Sequence, residues 1–482
     1  MRVLENFING AWVPSSASSQ LDVRNPATGE VMARVPLSTS EDVAAAVKAA
    51  KAAFPAWRST PPVVRARYLF KLKALLEQHR EEIATLCTRE HGKTLSESRN
   101  DLGRGIENVE HACGIPSLMM GQNLEDVATG IDSSVVRQPL GVFAAVTPFN
   151  FPPMVPLWFL PYAIATGNTF VLKPSEQVPL TQRRIFELLS ETGLPPGVVN
   201  LVNGGRDVVN AFCEHPDIAG VSFVGSTPVA KHVYESCART GKRVQALGGA
   251  KNFLVVMPDA EMGRSVQNVA ESIFGCSGQR CLAGSVVVGV GDAYEKVREA
   301  LLAAARAVVL GDGMKPGTTM GPVVSAAHKD RILGYINKGI EEGAKLLLDG
   351  RNAKVDGYPH GNWVGPTVFE DVRPEMVIAT EEIFGPVACL MRARNLDEAI
   401  ELANRGRYGN ASSIYTTNGK HAREFQYRVN VGMVGINVGV AAPMAFFPFG
   451  GAKQSLFGDT KAHGATGVDF YTDRKVIISR WF

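Results

Sequence analysis

Between residues 140 and 241 short apolar runs alternate with helical patterns. "GVFAAVT" reads as a buried strand, and "TFVLKPS" as the next, followed by the helix "LTQRRIFELLSETG". Then come "GVVNLVNG" (strand), "DVVNAFCEH" (helix), "IAGVSFVG" (strand) and "STPVAKHVYESCARTG" (helix). Strand–helix alternation at loop-like spacing predicts an α/β fold built on a doubly wound parallel sheet. Such sheets bind ligands at the carboxyl ends of their strands. The chain has 482 residues, past the size at which a single core stops growing, so a second domain is expected. A second α/β pattern, "FLVVMPDA", "SVVVGVG", "YEKVREALLAAARAVV", starts near residue 250 and runs to about 450.

Upstream, Thr39-x-x-Asp42 is a capping pattern that opens an Ala-rich helix. One long helix is expected through "VVRARYLFKLKALLEQHREEIATLC". The last stretch, "DFYTDRKVIISRWF", alternates like a strand. It completes either a sheet in another subunit or an intrachain edge.

A formal net charge of +3, without a long basic run, gives no reason to expect nucleic acid or a membrane surface as partner. Seven scattered cysteines do not form a disulfide framework, which points to a reducing, cytoplasmic setting. The N-terminal residues have neither the h-region of a signal peptide nor transit-peptide character. Residues 138–172 carry no charge and are long enough to cross a bilayer, but they contain six prolines. They are expected to form a buried strand followed by irregular loop. No metal is expected.

Several stretches carry chemistry. In "FVGSTPVAK" a glycine turns the chain from strand to helix, and Ser226 and Thr227 stand at the helix start, which suits a pyrophosphate. In "FVLKPSEQ", Lys173 and Glu176 follow a strand end and can share the hydroxyls of a ribose. A carboxylate there favours NAD over NADP. "HGKT" (91–94) resembles the end of a phosphate-binding loop, but Cys87 stands where that loop needs glycine. It is therefore not expected to bind phosphate. In "SGQRCLAG" (277–284), Cys281 is a candidate nucleophile in an open, small-residue loop, with Arg280 beside it able to lower its pKa. Asn150 in "TPFNFPPMVP" is a candidate oxyanion donor. The other six cysteines are expected to be inert buried thiols.

"TPFNFPP", "KPSEQ", "FVGST", "GQRC", "EEIFGP" and "FPFGG" occur in this order across nearly the whole chain. In this the chain resembles the aldehyde dehydrogenase superfamily. The resemblance implies Cys281 as nucleophile toward an aldehyde, with Asn150 and the Cys281 backbone N–H as oxyanion donors. It implies Lys173, Glu176, Gln177, Gly225 and Ser226 on NAD, with Thr147 and Phe149 lining the cofactor. Glu382 and Phe384 would hold the nicotinamide ribose and ring region. It also implies an NAD-binding domain at 1–119 and 140–246, and a catalytic domain at 247–450. An oligomerisation element at 120–139 and 463–482 would build a homodimer or homotetramer.

Hydrolytic members use a glutamate that here falls on Ala246 or Leu247, depending on a one-residue gap. No Asp or Glu occurs between Glu235 and Asp259, so the stretch supplies no general base for water. A thiol such as coenzyme A is then the expected acyl acceptor. With "QALGGAKN", "GRGIENVEHACGIP" and "SFVGSTPVAK", the chain looks most like the CoA-dependent methylmalonate (malonate) semialdehyde dehydrogenases. That resemblance implies Arg104 and Arg280 on the substrate carboxylate, where arginine's fork suits bidentate binding. It also implies CO2 loss and propionyl-CoA or acetyl-CoA as product. Leu282, Phe253 and the loop 437–449 depart from the family pattern and are expected near the substrate. The alternative is a hydrolytic NAD-dependent enzyme acting on another carboxylated aldehyde.

Overall fold

The computed structural model describes residues 2–482. Its first sheet has eight strands, and five of them are parallel neighbours in the order Val199–Leu201, Thr169–Lys173, Val142–Val146, Ile218–Val224, Arg243–Leu247. The N-terminal hairpin closes one edge, and Leu456–Phe457 pairs antiparallel with Ala246 and Leu247 at the other. Chain order reverses between Val142–Val146 and Ile218–Val224, and a cleft opens at such a point in open α/β sheets. Both faces are covered. Phe143 and Ala145 join one core, while Val142, Ala144 and Val146 join the opposite one. That is why this strand has no polar alternation.

The second sheet has seven strands, with Asn252–Val256, Gly284–Val290 and Val387–Ala393 at its centre, all parallel. Phe253 and Val255 pack on one side and Leu254 and Val256 on the other. A third, antiparallel sheet joins Gln122–Ala128, Ile131–Pro139 and Thr472–Arg480. The C-terminal strand therefore pairs within the chain. It begins only at Thr472, because "DFY" ends a helix, Gly464–Tyr471.

Helix α1 (Ser40–Ser59) starts on the expected capping box of Thr39 and Asp42. The long helix expected next is two: α2 (Pro62–Gln78) and α3 (Arg80–His91). His79 leaves helical geometry, with ψ at 19°, and turns the axis. At the far end of α3 the buried Glu90 carboxylate accepts the N–H groups of Leu180 and Thr181, at the start of the helix Pro179–Glu191. Hydrophobic period alone does not register one rotated residue. Helix α4 (Leu95–Cys113) opens on a second capping box, Thr94 with Glu97.

The uncharged segment also differs from expectation. After the strand Val142–Val146 and a loop, it forms a wholly buried helix, Pro156–Ala165. Pro156 sits in the first turn, where no N–H bond is lost, and one interior proline, Pro161, is tolerated. Among the described residues no helix is long and apolar enough to cross a membrane.

Candidate active site

The carboxyl ends of the first sheet face the loop that precedes Gly284–Val290 in the second. Between them lies a cleft of about 720 Å³. Thr147, Phe149, Asn150, Lys173, Glu176, Gln177, Gly225, Ser226, Glu382 and Phe384 all line it, and Cys281 stands at its inner end. A second cavity of about 200 Å³ meets Cys281 from the other side and is lined by both Arg104 and Arg280. The thiol thus sits where two cavities join. The candidate catalytic, carboxylate-binding and cofactor-binding residues named from the sequence lie in one cavity or the other.

Lys173 is buried, and its ammonium donates to Glu176 Oε2 at 3.1 Å and to the carbonyls of Pro174 and Gly204 at 2.8 and 2.7 Å. Burial pulls its pKa below the usual lysine value, against the pull of Glu176. Ser226 is the N-cap of the helix Thr227–Arg239, but its hydroxyl makes no capping bond, so the first-turn N–H groups are open to a ligand. Gln177 Oε1 is buried without a partner. A cleft with these free donors and an orphaned acceptor fits a dinucleotide. Arg206, Asn210 and His232, which sequence reasoning did not single out, line its outer part. Phe384 has a positive φ of 60°, its carbonyl bonded to His328 Nε2 at 2.8 Å and its ring edge-on to Phe149 at 5.8 Å.

The Cys281 loop is not open. Cys276, Ser277 and Gly278 follow one another in left-handed conformation, φ 50°, 56° and 72°, and are buried. Ser277 Oγ donates to the Gly321 carbonyl at 2.7 Å, and Gln279 Oε1 accepts the Val324 N–H at 3.0 Å. A Cβ on Gly278 would meet the Gly385 carbonyl oxygen at 2.1 Å. Gly278→Ala is therefore expected to destabilise by about 2 kcal/mol or more and to lower the midpoint of thermal unfolding. A midpoint equal to wild type would contradict this packing.

The Cys281 carbonyl accepts from Asn252 Nδ2 at 2.9 Å and Asn410 Nδ2 at 2.8 Å. Asn150 Nδ2 donates to the Gln279 carbonyl at 3.0 Å, two residues before the nucleophile. Burial raises the Cys281 thiol to about 12, and the Glu382 carboxylate is the next contributor in the same direction. Arg280 lowers it less than the backbone N–H groups of Cys281 and Leu282 do. The thiolate fraction should climb with pH toward that raised value. Alkylation of the free enzyme by iodoacetamide is expected to rise about tenfold per pH unit up to pH 9 or beyond. A plateau at lower pH would show a thiol already ionised.

Arg280 extends along the cavity wall and pairs with Glu97 Oε1 at 3.3 Å. Glu97 also accepts the Cys276 N–H at 2.6 Å and the Thr94 N–H at 2.9 Å, so it ties the start of α4 to the nucleophile loop. Arg104 pairs with Glu107 at 2.7 Å and also donates to the Pro443 carbonyl. Glu97, Asp101, Arg104 and Asn108 recur at three- and four-residue spacing and line the same cavity. That polar stripe on one helix face was a readable signal, of which only Arg104 was taken.

The rest of the cavity wall includes Met154, Trp158, Leu282, Val440, Phe449 and His463. Leu282 and the loop 437–449 line the cavity that Arg104 and Arg280 share. Phe253 does not, because strand alternation turns it into the core of the second sheet. Cys276, expected to be merely inert, lines the cavity beside Arg280, although burial raises its pKa. Ala246 and Leu247, where the glutamate of hydrolytic members is expected to fall, are both buried. One carboxylate does reach the neighbourhood: Glu382 Oε1 accepts the Ala250 N–H at 2.8 Å, and burial raises it to about 7.

Residues 12–477 match the model of the aldehyde dehydrogenase family, and the chain belongs to that family. It is 53% identical over 479 residues to malonate-semialdehyde dehydrogenase 1 of Geobacillus kaustophilus, covering 99% of this chain and 98% of that one. The crystal structure of methylmalonate-semialdehyde dehydrogenase from Oceanimonas doudoroffii superposes with a TM-score of 0.98 at 46% identity, covering 100% of this chain and 99% of the other. Betaine aldehyde dehydrogenase from Staphylococcus aureus, solved in complex with NAD+, gives 0.95 at 31% identity, with 98% and 94% covered.

Proposed function

We propose that this chain oxidises malonate semialdehyde or methylmalonate semialdehyde with NAD and coenzyme A, yielding acetyl-CoA or propionyl-CoA and CO2. The observation that carries the reading is the place of Cys281, between a dinucleotide-sized cleft and a cavity walled by two arginines. The names of the relatives support the same substrates.

Arg104 and Arg280 receive the substrate carboxylate, which sets the aldehyde carbon against Cys281 Sγ. The thiolate attacks, and the Asn150 amide and the Cys281 N–H take up the charge that develops on oxygen. Lys173 and Glu176 hold the adenosine ribose, Gly225 and Ser226 the pyrophosphate, and Glu382 and Phe384 the nicotinamide end. Gln177, Thr147 and Phe149 complete the wall. Bound NAD supplies acceptance of a hydride. The product on the enzyme is a Cys281 thioester; its carbonyl accepts the electron pair released when the β-carboxylate leaves as CO2, and the resulting enolate takes up a proton at C2 from water. Ala246 and Leu247 activate no water, so a CoA thiolate completes the transfer.

In domain terms, 1–119 and 140–246 carry the cofactor and 247–450 the nucleophile. Segments 120–139 and 463–482 form the association surface, a sheet whose Leu124, Val476 and Ile478 are exposed. This supports a dimer or tetramer. Seven free cysteines support a reducing, cytoplasmic setting.

The test is product analysis with malonate semialdehyde. Without CoA, NADH should appear as a burst of about one per active site and then slow. With CoA, turnover should continue and acetyl-CoA and CO2 accumulate. Free acid formed at the same rate without CoA would establish the hydrolytic alternative, with Glu382 as the carboxylate to examine. In the same assay Arg104→Ala should raise KM for the carboxylated aldehyde by about tenfold to a hundredfold, and leave KM for propanal unchanged. Equal KM values for wild type and variant would remove Arg104 from the carboxylate site.

A further inference from the structure

"HGKT", not expected to bind phosphate, lies against the candidate catalytic centre. Gly92 ends α3 in the left-handed region, φ 96°, and a Cβ there would meet Pro26 and Pro322 at 2.8 Å. This turn drives Lys93 inward until its side chain is completely buried. The ammonium donates to Asp101 Oδ2 at 2.8 Å and to the backbone carbonyl of Asn150 at 2.6 Å, and lies 4.3 Å from the centre of the Phe151 ring. Asp101 Oδ1 accepts the Met154 N–H at 3.2 Å. The pair therefore grips both ends of the segment 150–154, whose middle residues, Pro152 and Pro153, have no N–H to hold it. His91 also stacks on Phe149, with ring centres 6.1 Å apart. Burial opposes the Lys93 charge, but Asp101 together with Cys276 and Cys87 outweighs it, and the lysine is held above its usual value.

A buried ion pair is a poor source of stability, since two apolar residues of similar volume often serve as well. Its geometric effect here is specific. It fixes the peptide carbonyl of Asn150, the residue whose amide faces the nucleophile loop.

We infer that Lys93 and Asp101 are positioning residues for the oxyanion donor, setting the Asn150 backbone so that its amide meets the developing charge. This rests on the reading of Asn150 as oxyanion donor. The step affected is attack on the aldehyde with hydride transfer, not formation of the thiolate or binding of NAD.

The test compares wild type, Asn150→Ala and the paired apolar variant Lys93→Met/Asp101→Leu. The pair should fold with only a modestly lowered thermal midpoint, because no buried charge is left unpaired, although the Asn150 carbonyl and the Met154 N–H lose their partners. Its single-turnover rate of NADH formation should fall by roughly tenfold to a hundredfold. NAD affinity and the rate of Cys281 alkylation by iodoacetamide, a reaction that develops no oxyanion, should stay within about twofold of wild type, and adding the pair to Asn150→Ala should slow that variant by no more than about twofold further. Asp101→Asn, which keeps the volume, should show the same pattern more weakly. An unchanged rate in the pair, with Asn150→Ala slow, overturns the clamp alone. An unchanged rate in Asn150→Ala overturns the oxyanion reading itself. Parallel loss of NAD binding, alkylation and turnover, or a collapsed thermal midpoint in both the pair and Asp101→Asn, shows a packing role and overturns positioning.

Discussion

Cys281→Ala should reduce NADH formation by about 10⁴-fold or more while leaving NAD binding intact. Among the described residues, the other thiol on the substrate cavity is Cys276, and it cannot substitute. It is buried in a left-handed turn and packed against Arg280, with its pKa raised by burial. The groups proposed to hold NAD, Lys173, Glu176, Gly225 and Ser226, follow strands of the first sheet and do not depend on the thiol. Alanine keeps the backbone N–H and the carbonyl that Asn252 and Asn410 hold. The dissociation constant for NAD should therefore stay within about twofold. Titration of nicotinamide fluorescence, alongside single-turnover absorbance, checks both halves. Residual activity above about 1% of wild type would mean that another group attacks the aldehyde.

What the sequence made legible follows from how local each signal is. The central strands were readable because both faces of the sheet are covered, which leaves unbroken runs such as Val142–Val146. Residues at strand ends, Lys173 and Gly225 among them, were readable because the turn that follows a strand sets the ligand's place. Partners joined across the chain were not. The Glu97–Arg280 pair spans 183 positions, and the bond from Asn410 to the Cys281 carbonyl spans 129. No window of residues contains such a pair. His463 lies on the substrate cavity through a late loop without any motif. Lys93 was read as a failed phosphate loop, because its partners, Asp101 apart, lie 57 and 58 positions away. Local geometry also misled at His79 and at Pro161. In the first, one residue turned a helix axis. In the second, proline was taken to forbid a helix that in fact carries one interior proline, Pro161.

Asn150→Ala should lower kcat by about 10² to 10³ with little change in KM for the aldehyde. In the proposed reading the amide does not touch the carboxylate end of the substrate, which is assigned to Arg104 and Arg280 on the other cavity. Its effect is confined to the moment when negative charge grows on the former carbonyl oxygen, so ground-state binding is spared. One amide N–H is held by the Gln279 carbonyl at 3.0 Å, which keeps the side chain beside the Cys281 loop before any substrate arrives. Donors fixed in advance require no reorganisation during reaction, and in a buried site each is stronger than in water. Asn150→Asp sharpens the test. It keeps the shape but replaces a donor with a carboxylate, which repels the oxyanion, so its kcat should fall below that of Asn150→Ala. Single-turnover NADH formation at saturating aldehyde measures this step directly. If KM rises while kcat holds, Asn150 serves substrate binding, and the Cys281 N–H is left as the principal oxyanion donor.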